Sequence, residues 1–214
     1  SDISARAIET LQSVDVIYCE DTRVTKKLLS FYTIDTPTAV YHQHSTDKTI
    51  KQIYQLIKQG KNIAFVSDAG TPAISDPGGR LVEGLFDYAK KEGIDNDLII
   101  SPIPGPSAVI SALSVCGFPC QIYTFLGFPP HKKGRKTFFE QVAQKKETLV
   151  FFESTHRIEK AIKELQEVLS PNRKLVICRE LTKKFETLYR GTIAEIAEMQ
   201  IKAKGEFVIV VNKE

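Results

Sequence analysis

The sequence has few cysteines and keeps them apart. Cys19, Cys116, Cys120 and Cys178 are the four in 214 residues, and none forms a C-x-x-C pair. A structural zinc needs clustered ligands, and a disulfide framework belongs to short secreted chains, so neither is expected. No apolar run approaches the roughly 20 residues that span a bilayer, so no membrane span is expected. The opening SDISARAIETLQ has neither a basic flank nor an apolar core, so it is not expected to be a signal peptide. Also lacking are G-x-G-x-x-G, G-x-x-x-x-G-K-[ST] and G-x-S-x-G, which removes the support for a standard dinucleotide site, a Walker site and a hydrolase elbow. No histidine and carboxylate grouping has metal spacing. The expectation is a cytoplasmic protein with reduced thiols and no metal.

What is present is ordinary for a globular chain. Hydrophobic residues make up 42% and charged residues 26%, enough apolar surface to argue against disorder. The net charge of +3 permits an acidic partner without demanding one.

Apolar runs of strand length alternate with segments of helical period. VDVIYCE (Val14–Glu20), NIAFVSD (Asn62–Asp68) and DLIISPIPG (Asp97–Gly105) read as buried parallel strands. Ser4–Ser13, Asp47–Gln59 and Gly79–Lys91 carry apolar residues at helical spacing. Such alternation predicts an α/β fold with a mostly parallel sheet. The segment CQIYTFLGFPPHKKGRK, with paired prolines and a basic run, reads as a linker or exposed loop. After it, Glu147–Glu153, Lys174–Glu180 and EFVIVVN read as strands and Thr155–Leu169 as a helix. FETLYRGTI reads as a further strand before a short helix. Two α/β domains are therefore expected, residues 1–119 and 120–214. A doubly wound sheet normally opens with a strand, whereas this chain opens in a helix. Either the fold starts unusually, or the first domain lacks its leading strand in this sequence.

Five stretches could carry chemistry. VSDAGTPAISDPGG (Val66–Gly79) follows a strand, where α/β sheets bind ligands, and its glycines and prolines suit a close-fitting rigid loop. The plain reading of Asp76 is a cap on the next helix. SPIPGPSAVISALS (Ser101–Ser114) places a rigid turn before Ser107, at a helix start that suits an anion or serves as a simple cap. CEDTRVTKKLLS (Cys19–Ser30) brings Glu20, Asp21 and Arg23 to a strand–helix junction, with Asp21 a candidate N-cap and Glu20–Arg23 a candidate local ion pair. FFESTHRIEKAI (Phe151–Ile162) does the same for Glu153, His156 and Arg157, with Ser154 or Thr155 as a candidate cap. HKKGRK (His131–Lys136), after Phe125 and Phe128, combines cations with aromatics in a way that suits nucleic acid or a solvated loop.

As an ordered set, CEDTR, SDAGTPAISDPGGRLV, PIPGPSAVISAL, FLGFPP and FFESTHRI resemble the small-subunit ribosomal RNA (cytidine-2′-O)-methyltransferases of the tetrapyrrole methylase superfamily. The resemblance runs from about Asp2 to Val211. It implies a two-domain tetrapyrrole-methylase-like fold, mostly parallel in the first domain and mixed in the second. It also implies S-adenosyl-L-methionine as methyl donor in the cleft between domains, a ribose 2′-hydroxyl of small-subunit ribosomal RNA as acceptor, and a homodimer. Family members carry a strand and a glycine-containing loop just before the position of Asp2.

By position, Asp68, Gly70, Thr71, Pro72, Ile74, Asp76, Pro104, Gly105, Ser107 and Ala108 are expected at the donor. The resemblance narrows this to Thr71, Ile74, Ser107 and Ala108, and adds Phe152, Cys178 and Glu206. Glu20, Asp21 and Arg23 are the acceptor-side candidates, with a carboxylate as base and Arg23 on a phosphate; Glu153, His156 and Arg157 are a second set. Lys132, Lys133, Arg135 and Lys136, with His156 and Arg157, are the RNA-binding candidates. A relative acting on a tetrapyrrole or a protein side chain, and a non-catalytic RNA-binding relative, are the rival readings.

Overall fold

Successive residues of the first strand serve two different cores. In β1 (Val16–Cys19), Ile17 packs with Leu11, Leu29 and Ile34, while Tyr18 packs with Tyr41, Ile50, Ile53 and Leu81. This two-residue period puts alternate side chains on opposite faces, so β1 is buried on both sides. The computed structural model describes residues 2–213. It divides into two compact units, Ser1–Pro106 and Ser107–Glu214.

In the first unit, β1 pairs in parallel with β2 (Thr38–Val40) and β3 (Ile63–Val66), giving the order β2-β1-β3. Helices α1 (Ala5–Ser13) and α2 (Thr22–Phe31) supply Leu11 and Leu29 to one face. Helices α3 (Asp47–Lys58) and α4 (Gly79–Lys91) supply Ile50, Ile53, Leu81 and Leu85 to the other. Ser4 caps α1 by accepting from the Ala7 amide at 3.2 Å. The expected α/β architecture is present. The expected strand over Asp97–Gly105 is not: 98–107 lies outside any helix or strand, and Ile99 is 83% exposed. Its apolar run has no ladder partner in a sheet of three strands.

In the second unit the sheet order is β4-β5-β8-β6-β7, with β4 and β5 parallel and the other pairs antiparallel. The strands are β4 (Tyr123–Phe125), β5 (Thr148–Ser154), β6 (Lys174–Arg179), β7 (Thr187–Thr192) and β8 (Glu206–Val211). One face, with Leu149, Phe151, Ile177 and Ile209, meets helices α6 (Arg135–Gln144), α7 (Ile158–Val168) and α8 (Ile193–Glu198). The other face, with Val150, Val176, Cys178 and Val208, meets α5 (Ala108–Cys116). Because α5 buries Val109, Ala112, Leu113 and Cys116 on this sheet, the units divide one helix earlier than the 119/120 boundary read from the sequence. The expected linker also contains regular structure, namely β4 and the first residues of α6.

Candidate functional site

The carboxyl ends of β1 and β3 open into the two densest motifs of the first unit. After β3 the loop makes its turns with unusual backbone. Gly70 and Gly78 have φ of 75° and 144°, and two residues with a Cβ, Ala73 and Ser75, also sit at positive φ, 70° and 63°. A left-handed residue other than glycine costs about 1–3 kcal/mol and is held only by its surroundings. The holding contacts are present. The Thr71 amide and hydroxyl both donate to the Pro106 carbonyl, at 3.1 and 3.3 Å, which ties this loop to the Pro104–Pro106 turn. Ser67 donates to the carbonyls of Ala69 and Gly70. A Cβ on Gly70 would meet the Pro106 oxygen at 3.2 Å, so the two segments approach as closely as a bare backbone allows. Ile74 stays 52% exposed at the crest. The N-cap position of α4 is held by Gly78, not by Asp76.

At the end of β1, Glu20 is half-buried, and its Oε1 is buried without a hydrogen-bond partner. Burial, then the neighbouring charge of Asp76, push its carboxyl pKa up; the amide of Asp68 bonds to it and partly opposes this. Asp21 next to it behaves in the opposite way. It caps α2 and accepts from the Arg23 amide and guanidinium, which hold its pKa down to about 2. Arg23 therefore pairs with Asp21, not with Glu20 as the spacing suggested. Two adjacent carboxylates have been driven apart, a pattern that separates proton acceptors from fixed charges.

In the second unit the structure gathers residues that the sequence had sorted into different roles. Glu153 is fully buried between two cations. Arg135 reaches its Oε2 at 3.0 Å, and Arg157 reaches its Oε1 at 2.9 Å. Glu164, on α7, closes the group against Arg135 at 2.8 Å. The four charges cancel, which is how a buried carboxylate survives; removing one member leaves an unpaired buried charge at about 3–5 kcal/mol. Arg135 thus differs from the rest of the basic run. Its side chain is 4% exposed and faces the interior, so it is not presented to a phosphate, whereas His131, Lys132, Lys133 and Lys136 are exposed. Glu153 is likewise enclosed by its ion pairs, away from solvent. His156 is exposed. Ser154 and Thr155 are not caps of α7, whose N-cap is Arg157.

The family described as Tetrapyrrole (Corrin/Porphyrin) Methylases matches residues 1–197. The chain belongs to that family. Among curated relatives of this tetrapyrrole methylase is the "Ribosomal RNA small subunit methyltransferase I" of Bacillus subtilis, 41% identical over 99% of this chain and 70% of its own length. The protein of the same name from Thermotoga maritima is 39% identical over 99% of this chain and 92% of its own length. Among solved structures, a cobalt precorrin-4 methyltransferase superposes with a TM-score of 0.65 at 20% identity, covering 99% of this chain and 89% of the other. Uroporphyrin-III-C-methyltransferase from Thermus thermophilus gives 0.64 at 16%, over 99% and 88%. At those identities the likeness speaks for the fold alone.

The remaining candidates of this tetrapyrrole methylase fall as follows. Asp68, Gly70, Thr71, Pro72, Ile74, Asp76, Pro104 and Gly105 lie in the first unit, on the loop and the turn just described. Ser107 and Ala108 open α5 in the second unit, where Ser107 accepts from the Ile110 amide at 3.4 Å as an N-cap. Phe152 is half-buried, 5.0 Å from the Phe125 ring and 5.2 Å from the Phe128 ring. Cys178 is buried in the sheet face under α5, and burial pushes its thiol pKa up to about 12, so the thiol is not a nucleophile. Glu206 is exposed at the start of β8 and pairs with Lys183 at 2.8 Å. Sequence reasoning missed Glu164, whose only signal was a carboxylate on the otherwise apolar-faced α7. Pro106 belongs to the rigid turn read from the sequence, but that its carbonyl joins the turn to the loop through Thr71 had no signal there. Among the described residues no group of histidine, cysteine and carboxylate side chains could hold a metal, and no helix is long and apolar enough to cross a membrane.

Proposed function

We propose that this chain transfers the methyl group of S-adenosyl-L-methionine to the 2′-hydroxyl of a cytidine in small-subunit ribosomal RNA. The observation that carries the reading is near-complete coverage by relatives named for that RNA, 41% identical over 99% of the chain. The site residues are consistent with it. Glu20, Asp68 and Asp76 place carboxylates at the strand ends, and their sign suits a cationic donor. The donor, when bound, supplies an electrophilic methyl on a sulfonium centre.

The protein's own part is alignment and proton handling. The Thr71–Pro106 tie holds loop and turn in one shape, which lowers the entropy cost of aligning oxygen, methyl and sulfur. A ribose hydroxyl is a poor nucleophile. Glu20, with a free buried oxygen and a raised pKa, is the acceptor for its proton. Arg23, 87% exposed in its side chain, faces solvent as a cation suited to a phosphate. In the second unit, the exposed Lys132, Lys133 and Lys136 offer cations for RNA, with His156 as a polar contact and Phe128 as a stacking face. Thr71, Ile74, Ser107, Ala108, Phe152, Cys178 and Glu206 are the donor-side set that the family resemblance implies. We further take the assembled small subunit as substrate, a homodimer as the working form and the cytoplasm as the place of action.

The test is transfer of a labelled methyl from S-adenosylmethionine to unmodified small ribosomal subunits, with mass spectrometry of the digested RNA. A single 2′-O-methylcytidine is expected. Label on a base, or on an added tetrapyrrole in place of RNA, overturns the reading.

A further inference from the structure

The two prolines of the FLGFPP motif have no N–H, so the backbone there can be fixed only through its carbonyl oxygens. Both oxygens are taken by guanidinium groups, that of Arg135 buried and that of Arg157 half-buried. Arg157 donates to Pro129 O at 3.1 Å, and Arg135 donates to Pro130 O at 3.3 Å. Each arginine is itself oriented by Glu153, at 2.9 and 3.0 Å. Glu153 is oriented in turn by the Ser154 amide at 2.7 Å. The neighbouring Gly127 carbonyl accepts from the Phe152 amide at 2.8 Å, so the segment is pinned at three carbonyls, those of Gly127, Pro129 and Pro130. Gly127 and Gly134, at φ of 66° and 84°, bracket the pinned stretch. On its free side it presents Phe128, 50% exposed, and the exposed His131, Lys132 and Lys133.

We propose that Glu153 is a positioning residue: through Arg135 and Arg157 it sets the Gly127–Lys133 loop in the one shape that offers Phe128 and the two lysines to RNA. This rests on the proposed RNA substrate. The two cations that look like RNA contacts in sequence act one step back, shaping the loop that makes the contacts. A pre-shaped loop binds more tightly because less conformational freedom is lost on contact.

The variant that separates this from a merely structural role is Arg157→Lys. It keeps a positive charge beside Glu153 but loses the planar fork that serves Glu153, Ser154 and Pro129 at once. Three quantities are read on the full chain: tryptic cleavage after Lys132 and Lys133 in the folded protein, KM and kcat with unmodified small subunits, and the dissociation constant for S-adenosylmethionine. Loss of one charge-assisted bond corresponds to about tenfold. Cleavage is expected to accelerate by about that factor and KM for subunits to rise by a similar one, with kcat and donor affinity unchanged. Glu153→Gln should reproduce the pattern more strongly. Unchanged cleavage overturns the clamp whatever the RNA does. Faster cleavage with an unchanged KM overturns the loop's part in RNA binding and leaves the clamp standing. A parallel loss of kcat and donor affinity would mark a general structural defect and overturn the positioning role.

Discussion

Asp21 accepts from the backbone amide of Arg23 at 2.8 Å and from its guanidinium at 3.0 and 2.6 Å. A carboxylate held in this way, with its pKa near 2, is a weak base, which is why the proposed proton-accepting role is given to Glu20 beside it. The folded pKa of Asp21 is below its ordinary 3.8. Its stabilising contribution is therefore complete above that value and is lost as pH falls through about 2.

Asp21→Asn keeps a capping oxygen and removes the charge. Methyl transfer should fall about tenfold with no new limb in the pH profile between 5 and 9, because the native group is ionised throughout that range. Arg23→Ala should give a similar loss. Since the two side chains act as one unit, the double variant should lose no more than either single one. Rates on small subunits, measured for the three proteins together, decide this; full additivity would mean that Arg23 works independently of Asp21.

Glu20 gives the opposite sign. Its proton is held more tightly in the folded protein than in the unfolded chain, so its charge weakens the fold above the ordinary pKa of 4.5. Glu20→Gln should raise the thermal midpoint at neutral pH, and the difference should vanish below about pH 4.5. The same substitution should lower kcat on subunits about 10²–10⁴-fold, as expected for loss of a general base. A variant that is less stable at pH 7, or one that retains full activity, would remove Glu20 from the scheme.

Most of the architecture was legible because apolar runs of strand length mark strands, even where, as in β3, every residue is only half-buried. Runs such as NIAFVSD and KLVICRE have strand length and β-branched composition, and the helical period of Ile50, Ile53 and Ile57 identifies α3 directly. The failures have specific causes. DLIISPIPG has strand composition, but whether a run becomes a strand depends on a neighbour to bond to, which composition does not record. The short β2 and β4 have three residues each, too few for a period to show. In the candidate site, the strand-end location of the SDAGTP loop was readable from order alone. The partner of each charge was not. Arg135 lies between lysines in sequence, yet its Cβ direction on the first turn of α6 takes it to Glu153 and Glu164 in the interior.

Gly78 tests whether the strained loop holds its shape for a ligand. At φ of 144°, an added Cβ would lie 3.0 Å from both the Ala73 Cβ and the Phe65 ring. Gly78→Ala should destabilise the protein by about 2 kcal/mol, from backbone strain and forced displacement of Ala73 together. Because Ala73 itself sits at positive φ in the loop, donor affinity should fall as well, by more than tenfold. Gly79, whose added Cβ would meet nothing within 4 Å, is the control: Gly79→Ala should leave donor affinity within twofold. Calorimetric titration with S-adenosylmethionine compares the two. Equal affinities in both variants would separate this loop from donor binding.

The exposed lysines make the last prediction, and it is about slope more than affinity. Each phosphate neutralised by a lysine releases condensed counterions, so log K falls with log salt by about 0.7 per contact on single-stranded nucleic acid. Lys132, Lys133 and Lys136 are exposed, and only Lys136 has an ion-pair partner on its own helix, Glu140 at 3.8 Å. Replacing all three with alanine should reduce the slope by about 2 and weaken binding at low salt most. Arg135→Lys should leave the slope unchanged, because that guanidinium faces Glu153 and Glu164 and not solvent. Filter binding of a small-subunit RNA fragment across a salt series reads both numbers. A slope that drops with Arg135→Lys and stays put with the triple alanine would place the RNA on a surface other than this loop.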